Sequence, residues 1–350
     1  MRKLTLGFGF LFGMGCIFTY SPAIATPPDS LVYALKSTVV KIRVVLPNGR
    51  YGVGSGVVVA KDQVATNCHV IANAYAINVI KFGESHRATS LKADWEHDLC
   101  IAGFDSLDTT IAKLGESTNL QYEQPVFTIS FPNNSPRPLT TYGAVKALYP
   151  MDDSVIIRAS NDFRLGSSGG AMFNDEGKLV GIIALKSPGR NAFYYNLPVE
   201  WIKNLLKQPE ISLDTKSELP FWDAPEEKRP YFMRVIQPFQ THDWEALKKI
   251  ASEWVLAEPS TSEAINYLAI AEYNLKETNS AQQHFSQLYA QNKHHANALL
   301  YLGLIAAESG HKDEAIKTAA ILDQLDKDSA MQLNEKLGVK TNDDCASSQC

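Results

Sequence analysis

The hydrophobic residues between about position 39 and position 200 come in short runs that Gly, Pro, Asn and Asp separate. Residues 39–46 alternate between apolar and polar side chains, and the turn signal Pro47-Asn48-Gly49 follows them. Alternation favours strands with one buried face, and the breaking residues mark the turns between them. Short strands at this spacing are typical of an all-β barrel or sandwich domain. Short helices are predicted at residues 31–36 and 199–207.

From about residue 228 the chain changes to helix-forming residues with a longer period. Similar side chains recur 34 positions apart: Ala264 and Ala298, Leu268 and Leu302, Ala269 and Gly303, Ala281 and Ala315, Leu288 and Leu322. The period resembles that of tetratricopeptide (TPR) repeats, in which small residues let two helices approach closely. We predict two good repeats, a degenerate first repeat and a capping helix at residues 330–337. The alternative is a helical domain without repeats.

These patterns divide the chain into five segments. The expected boundaries are a signal peptide at 1–25, a β domain at 26–207, a linker at 208–227, a TPR-like helical repeat domain at 228–337, and a disordered or disulfide-closed tail at 338–350. The linker is assigned because it contains three prolines and several acidic residues without apolar periodicity. The predicted protein is therefore multidomain, with an all-β part followed by an all-α part.

Residues 166–170 read Gly-Ser-Ser-Gly-Gly and lie between two predicted strands. Glycine permits a tight turn with positive φ, and such a turn can direct several backbone N–H groups at one point. Groups placed in this way stabilise an oxyanion, which suits nucleophilic catalysis by a serine. The same pattern also fits a simple turn in a hairpin, so the segment alone does not decide between the two.

Two further stretches favour the catalytic interpretation. His69 follows a predicted hairpin that begins with Gly54-Ser55-Gly56, and Asp98 opens an apolar strand. The chain order is then His69, Asp98, Ser168, which is the order of the chymotrypsin-type arrangement. These three blocks resemble the active-site blocks of trypsin-like serine peptidases of the HtrA (Deg-type) branch, over roughly residues 31–207.

The resemblance implies a chymotrypsin-like fold of two packed six-stranded barrels with the site between them. Ser168 would be the nucleophile, His69 the general base, and Asp98 the residue that orients the imidazole. The backbone N–H groups of Gly166 and Ser168, with that of Ser167 as an additional candidate, would form the oxyanion hole.

The resemblance also suggests where a substrate would bind. Asp162 lies six residues before Ser168, a position at which an acid would select Lys or Arg. In the HtrA branch the next residue, Phe163, and the strand that contains Ala184, Leu185 and Lys186 would instead shape an apolar pocket. We favour small or medium aliphatic residues in that pocket. The strand would also offer backbone hydrogen bonds to an extended peptide.

Other residues compete for these roles. His86 and His97 lie in polar stretches and are expected to be solvated. Asp94 could replace Asp98, but only Asp98 leads directly into an apolar strand. Ser167 could replace Ser168, but only Ser168 is followed by two glycines.

The amino end predicts export. Arg2 and Lys3 precede an apolar segment at 4–20, and Ala-Ile-Ala at 23–25 is a cleavage signal. A lipoprotein anchored at Cys16 is the alternative. The remaining chain has 31 basic and 38 acidic residues, because the signal takes two of the 33 Lys and Arg with it. A net charge of that sign argues against nucleic-acid binding.

Four cysteines remain after the signal, and an exported chain permits disulfides. Cys68 adjoins His69, and Cys100 lies two residues after Asp98, so the cysteines are neighbours if the His and Asp touch. We expect a Cys68–Cys100 disulfide; the alternative is two buried thiols. Cys345 and Cys350 would close a small loop in the tail or link two chains.

The sequence thus predicts an exported serine endopeptidase, periplasmic or secreted, acting on protein or peptide substrates. The TPR-like repeats would bind a protein partner. No metal, organic cofactor, nucleic-acid partner or stable membrane span is implied. The alternative is an adaptor protein in which the repeats carry the function and the protease fold is a scaffold of low or latent activity.

Overall fold

The computed structural model describes residues 27–81, 83–187, 192–215 and 218–339. The predicted signal peptide, Cys345 and Cys350 lie outside these ranges. Within them the chain forms a β part of two halves followed by a helical part, as the sequence predicts.

The first half of the β part is a seven-stranded antiparallel sheet with the order β5-β4-β1-β2-β3-β7-β6. A helix α1 (Asp29–Leu35) precedes it, and a single helical turn α2 (Cys68–Ile71) follows its third strand. The strands are β1 (Val39–Val45), β2 (Tyr51–Ala60), β3 (Gln63–Asn67), β4 (Ala76–Lys81), β5 (Glu84–Arg87), β6 (Ser90–Asp94) and β7 (Leu99–Gly103). Apolar side chains of these strands form a buried core of their own.

The seven strands differ from the six-stranded barrel that the resemblance implied, and the reason is local. The two edge strands, β5 and β6, are consecutive in the chain and are separated only by residues 88 and 89. Ala88 N–H donates to Ile77 of β4 at 2.9 Å, whereas Thr89 N–H donates to Gly103 of β7 at 2.8 Å. One bent segment, which in chain order is the fifth strand split in two, therefore pairs with both β4 and β7 and curls the sheet toward closure.

The second half is a closed six-stranded barrel with the order β10-β13-β12-β11-β8-β9. Its strands are β8 (Pro125–Ser130), β9 (Leu139–Met151), β10 (Ser154–Ala159), β11 (Ala171–Asn174), β12 (Leu179–Lys186) and β13 (Tyr194–Pro198), and helix α3 (Val199–Leu206) follows the last strand. The predicted nucleophile loop is the connection from β10 to β11. The two halves together confirm the double-barrel class.

The helical part repeats with the period read from the sequence. It contains α4 (Tyr231–Arg234), α5 (Ile236–Thr241), α6 (Trp244–Ala257), α7 (Ser262–Asn274), α8 (Thr278–Gln291), α9 (Ala296–Glu308), α10 (Lys312–Leu325) and α11 (Lys327–Leu337). Helices α7 and α9 begin and end 34 residues apart, and so do α6, α8 and α10 in succession. Gly303 explains the need for small residues, because a Cβ there would lie 2.4 Å from Leu333. Among the described residues, no helix is both long and apolar enough to cross a bilayer.

The helical part packs on the second barrel through aromatic side chains. Tyr149 of β9 stacks on Phe232 of α4 with ring centroids 4.5 Å apart, and Trp254 of α6 lies within 6.1 Å of Tyr149. Arg158 of β10 is partly buried at this contact and donates to the hydroxyl of Tyr267 at 3.2 Å. Barrel and helices therefore share one apolar core.

Candidate active site

The base and acid predicted from the sequence form a hydrogen-bonded pair. His69 Nδ1 lies 2.6 Å from Asp98 Oδ2, and the backbone N–H of His69 donates to Asp98 Oδ1 at 2.8 Å. The Asp98 side chain is 1% exposed and that of His69 is 32% exposed. A buried carboxylate accepts hydrogen bonds, so Nδ1 carries the proton and the lone pair of Nε2 is left for another group.

The local fold explains why these two side chains meet. Strand β3 pairs with β7, and this pairing places Asn67 opposite Leu99. His69 follows the end of β3 and Asp98 precedes β7, so both lie at the same end of the pair. Asp98 has a φ of +57°, which aspartate tolerates better than most residues. Cys68 N–H also donates to the backbone oxygen of Asp98 at 3.1 Å.

The expected disulfide is present. Cys68 and Cys100 are joined, with their Cα atoms 4.9 Å apart. One cysteine directly precedes His69 and the other lies two residues after Asp98. The bridge therefore fixes the base and the acid relative to each other.

The loop that carries Ser168 is fastened to the first barrel. Ser55 N–H of β2 donates to the backbone oxygen of Ser168 at 2.8 Å, and the Ser55 hydroxyl donates to Gly166 O at 2.8 Å. Gly169 has a φ of +80° and lies so close to β3 that a Cβ would be 2.3 Å from Thr66 Oγ1. These contacts bring the predicted nucleophile against the strand that ends next to His69.

The hydroxyl of Ser168 donates to Ala184 O at 3.4 Å, and no hydrogen bond joins it to His69 among the described residues. The site is thus assembled as an His–Asp pair and a partly buried serine, with the bond between them not formed. The serine hydroxyl would have to turn away from Ala184 to reach the imidazole.

The predicted oxyanion-hole donors differ in their availability. The backbone N–H groups of Gly166 and Ser168 donate to no acceptor among the described residues, and Gly166 has the positive φ of +92° that such a turn requires. In contrast, Ser167 N–H donates to Arg164 O at 2.9 Å, and the buried Ser167 hydroxyl accepts from Ser130. Ser167 is therefore unavailable as a third donor, and it is also the poorer candidate for the nucleophile.

His97 was expected to be solvated, and this expectation is wrong. Its Nδ1 lies 2.7 Å from Asp94 of the first barrel, its Nε2 lies 2.9 Å from Asp152 of the second, and its ring lies 4.0 Å from that of Trp201 at a tilt of 37°. Burial alone would lower the pKa of His97, but the two carboxylates outweigh burial and raise it. Burial would raise the pKa of Asp94, but hydrogen bonds and the charge of His97 lower it.

Asp94 and His86, the other candidates for the acid and the base, have partners elsewhere. Asp94 is paired with His97 and not with His69. The side chain of His86 lies on β5, where it is 28% exposed and 3.7 Å from Glu84.

Two of the predicted substrate-binding residues, Asp162 and Phe163, lie in the serine loop, and the other three lie at the end of β12. Asp162 is exposed, whereas Phe163 is buried and meets Tyr194 edge-on at 4.9 Å. Strand β12 continues past the end of its pairing with β11, which stops at Ile182. Ala184 is buried, Leu185 is partly exposed and Lys186 is exposed. Leu185 and Lys186 are therefore paired with β13 on one side only, and Ala184 lies at a register shift of that pairing.

One residue at the site was not expected from the sequence. Trp222 lies in the predicted linker, and its indole Nε1–H donates to Asp98 Oδ2 at 3.1 Å. Its ring also meets the ring of His69 edge-on, with centroids 5.7 Å apart. The only sequence signal is an aromatic pair, Phe221-Trp222, in an otherwise polar and proline-rich segment.

Part of the chain is similar to known serine peptidases. A family model described as a trypsin-like peptidase domain matches residues 54–182. The chain is similar to a probable periplasmic serine endoprotease, DegP-like, of Pseudomonas fluorescens, at 31% identity over 156 residues, which are 42% of this chain and 33% of that protein. The similar DegP-like protein of Halomonas elongata is 28% identical over 159 residues, which are 43% of this chain and 34% of that protein.

The chain thus spans about a third of the length of these curated relatives. Among solved structures, a serine endoprotease from Yersinia pestis is similar, with a TM-score of 0.47, 23% identity, and coverage of 51% of this chain and 65% of that chain.

Proposed function

We propose that this chain, whose residues 54–182 belong to the trypsin-like peptidase domain family, is an exported serine endopeptidase with a helical domain that binds protein. The observation that carries the proposal is the His69–Asp98 pair, which lies beside a serine loop with two unengaged backbone donors. The export proposal rests on the amino-terminal signal in the sequence and on the periplasmic relatives.

The reaction would proceed in two halves. His69 Nε2 takes the proton of the Ser168 hydroxyl as the oxygen attacks the peptide carbonyl, and Asp98 stabilises the imidazolium that forms. The N–H groups of Gly166 and Ser168 bind the oxyanion, a contribution of roughly 3–4 kcal/mol per donor. His69 then gives the proton to the leaving amine. A water molecule, deprotonated in the same way, hydrolyses the acyl-enzyme and restores Ser168.

A substrate peptide would add to β12 as an extended strand. Residues 184–186 support this because Leu185 and Lys186 are paired with β13 alone and Ala184 O accepts from the Ser168 hydroxyl. Strand addition supplies affinity through backbone hydrogen bonds and specificity through alternate side-chain pockets. The exposure of Asp162 and the burial of Phe163 favour an aliphatic side chain before the cleaved bond over Lys or Arg.

The helical domain would bind a protein segment. Its helices repeat every 34 residues, as in TPR arrays, and a cavity of about 440 Å³ opens between them and the second barrel. The cavity is lined by aromatic, amide and charged side chains, among them Arg158, Phe193, Asn266 and His295. Burial lowers the pKa of His295 and favours its neutral form there.

The adaptor alternative has one observation in its favour. The Ser168 hydroxyl is bonded to Ala184 and not to His69, which is the arrangement of a resting site. Catalytic hydrogen bonds often tighten only when substrate binds, so this arrangement is also compatible with an enzyme.

Casein hydrolysis by the mature chain tests the proposal. We expect wild-type protein to cleave casein, and Ser168→Ala and His69→Gln each to lower the rate by at least a thousandfold. Ser167→Ala is the matched control and should retain activity, because that hydroxyl is buried behind the loop. Equal cleavage by wild type and Ser168→Ala would contradict the proposal. Tight partner binding without any cleavage would favour the adaptor.

A further inference from the structure

The segment between the two domains reaches back to the catalytic pair. The turn Phe221–Asp223 brings the indole of Trp222 to Asp98 Oδ2 at 3.1 Å, across 124 positions of sequence. The same ring meets the imidazole of His69 at an interplanar angle of 88°. Trp222 therefore contacts both members of the pair.

The position of Trp222 is held by its neighbours. Phe221 is 7% exposed, and its backbone N–H donates to Glu96 O, two residues before Asp98, at 2.8 Å. Earlier in the segment, Ile211 exchanges backbone hydrogen bonds with Leu91 of β6 at 2.6 and 3.3 Å. The segment is thus docked on the first barrel at two points, and the indole is directed at Asp98 by backbone contacts.

The hydrogen bond from Trp222 matters because it acts on Asp98, the residue that orients the imidazole of His69. The carboxylate is buried and accepts three hydrogen bonds: from His69 N–H, from His69 Nδ1–H and from Trp222 Nε1–H. Oδ2 is the atom that orients the imidazole, and the indole is its second donor. Two donors from different directions restrict rotation of the carboxylate, and a carboxylate in one orientation holds the imidazole in one orientation.

We propose that Trp222 is a positioning residue for the His69–Asp98 pair, so that full turnover requires the interdomain segment to be docked. This inference rests on the proposed peptidase function. It assigns the turn Phe221–Asp223 of the predicted linker a part in the active site that its composition does not suggest, and it makes the connection to the helical domain a determinant of the reaction rate.

Steady-state kinetics of Trp222→Phe, which keeps a ring but removes the donor, test the proposal. We expect kcat to fall about tenfold with KM within twofold of wild type, because one hydrogen bond to a charged group is lost away from the substrate. Trp222→His can donate again and should recover part of the loss. Trp244→Phe is the matched control: Trp244 lies on α6, has no hydrogen bond from its indole among the described residues, and should leave kcat unchanged.

A second measurement does not need activity. The indole N–H resonance of Trp222, assigned by its absence in Trp222→Phe, should be protected from exchange and should shift in Asp98→Asn. If Trp222→Phe has the kcat of the wild type and only its urea midpoint is lower, Trp222 serves packing alone and the proposal is overturned. The proposal is also overturned if the Trp222 indole N–H exchanges freely and its resonance does not shift in Asp98→Asn. A wild-type protein that cleaves no substrate and reacts with no serine probe overturns the proposed function itself, and the indole resonance then still reports whether the contact exists.

Discussion

Loss of the Cys68–Cys100 disulfide should destabilise the first barrel and slow the reaction together. The bridge joins residues with a sequence separation of 32. For a loop of that size, the chain-entropy relation gives about 12 cal/mol/K, or about 3.7 kcal/mol at 25 °C. Both cysteines are buried, so Cys68→Ala with Cys100→Ala also removes two packed sulfur atoms. We therefore expect the free energy of unfolding to fall by about 4 kcal/mol in the double variant.

Urea unfolding, followed by tryptophan fluorescence, measures the stability change, and the rate of reaction with a fluorophosphonate measures the site. The labelling rate should fall because the bridge fixes the segments that carry His69 and Asp98. Wild-type protein treated with a reductant should change in the same direction but by less, because reduction breaks the bridge and keeps both sulfur atoms. The control is the double variant Cys345→Ser with Cys350→Ser, which loses two other cysteines and should keep the wild-type urea midpoint and labelling rate. An unchanged urea midpoint after reduction, or alkylation of Cys68 without reductant, would refute the reasoning.

Two further substitutions have effects that follow from single contacts. The pKa of His97 is raised in the folded chain, so its contribution to stability is complete below the unfolded pKa of about 6.5 and is lost as pH rises through the folded pKa. His97→Gln should therefore lower the urea midpoint more at about pH 5.5 than at about pH 8.5. An equal loss at both pH values would show that Asp94 and Asp152 do not act through the charge of His97. Gly169→Ala should abolish serine labelling and lower stability by at least about 2 kcal/mol, because its Cβ would lie 2.2 Å from a backbone oxygen of β2 at a φ of +80°. Gly49→Ala is the control, with a φ of +77° and no atom within 4 Å, and should cost only about 1 kcal/mol; an equal effect at both glycines would contradict the role assigned to the close approach.

The sequence carries the parts of the fold that local patterns determine. The alternating runs predict the strands, and the spacing of 34 predicts helices whose bounds recur at that interval. The His69, Asp98 and Ser168 blocks each lie at a strand end or in a glycine-rich turn, so their order was readable. The split of the fifth strand at residues 88 and 89 was not readable, because a bend in a strand leaves no clear trace in composition.

The contacts that join distant segments were the ones missed. Trp222 lies in a segment whose prolines and acids predict a linker, and nothing local indicates that its indole meets Asp98. His97 stands in a polar stretch, and its second partner, Asp152, comes from the other barrel. Both contacts depend on how the halves of the molecule pack, which is a tertiary property. Ser55 is similar: its place between two glycines was visible, but its bond to Gly166 O was not.

The central claim is that Ser168 is the nucleophile that His69 activates. Mapping the site of a fluorophosphonate adduct tests this directly. Wild-type protein should carry one adduct, which peptide mass spectrometry places on Ser168, and Asp98→Asn should slow its formation by at least a hundredfold. Labelling of Ser167 or of a serine outside residues 166–170, or an undiminished rate in Asp98→Asn, would contradict the claim that these three side chains form one catalytic unit.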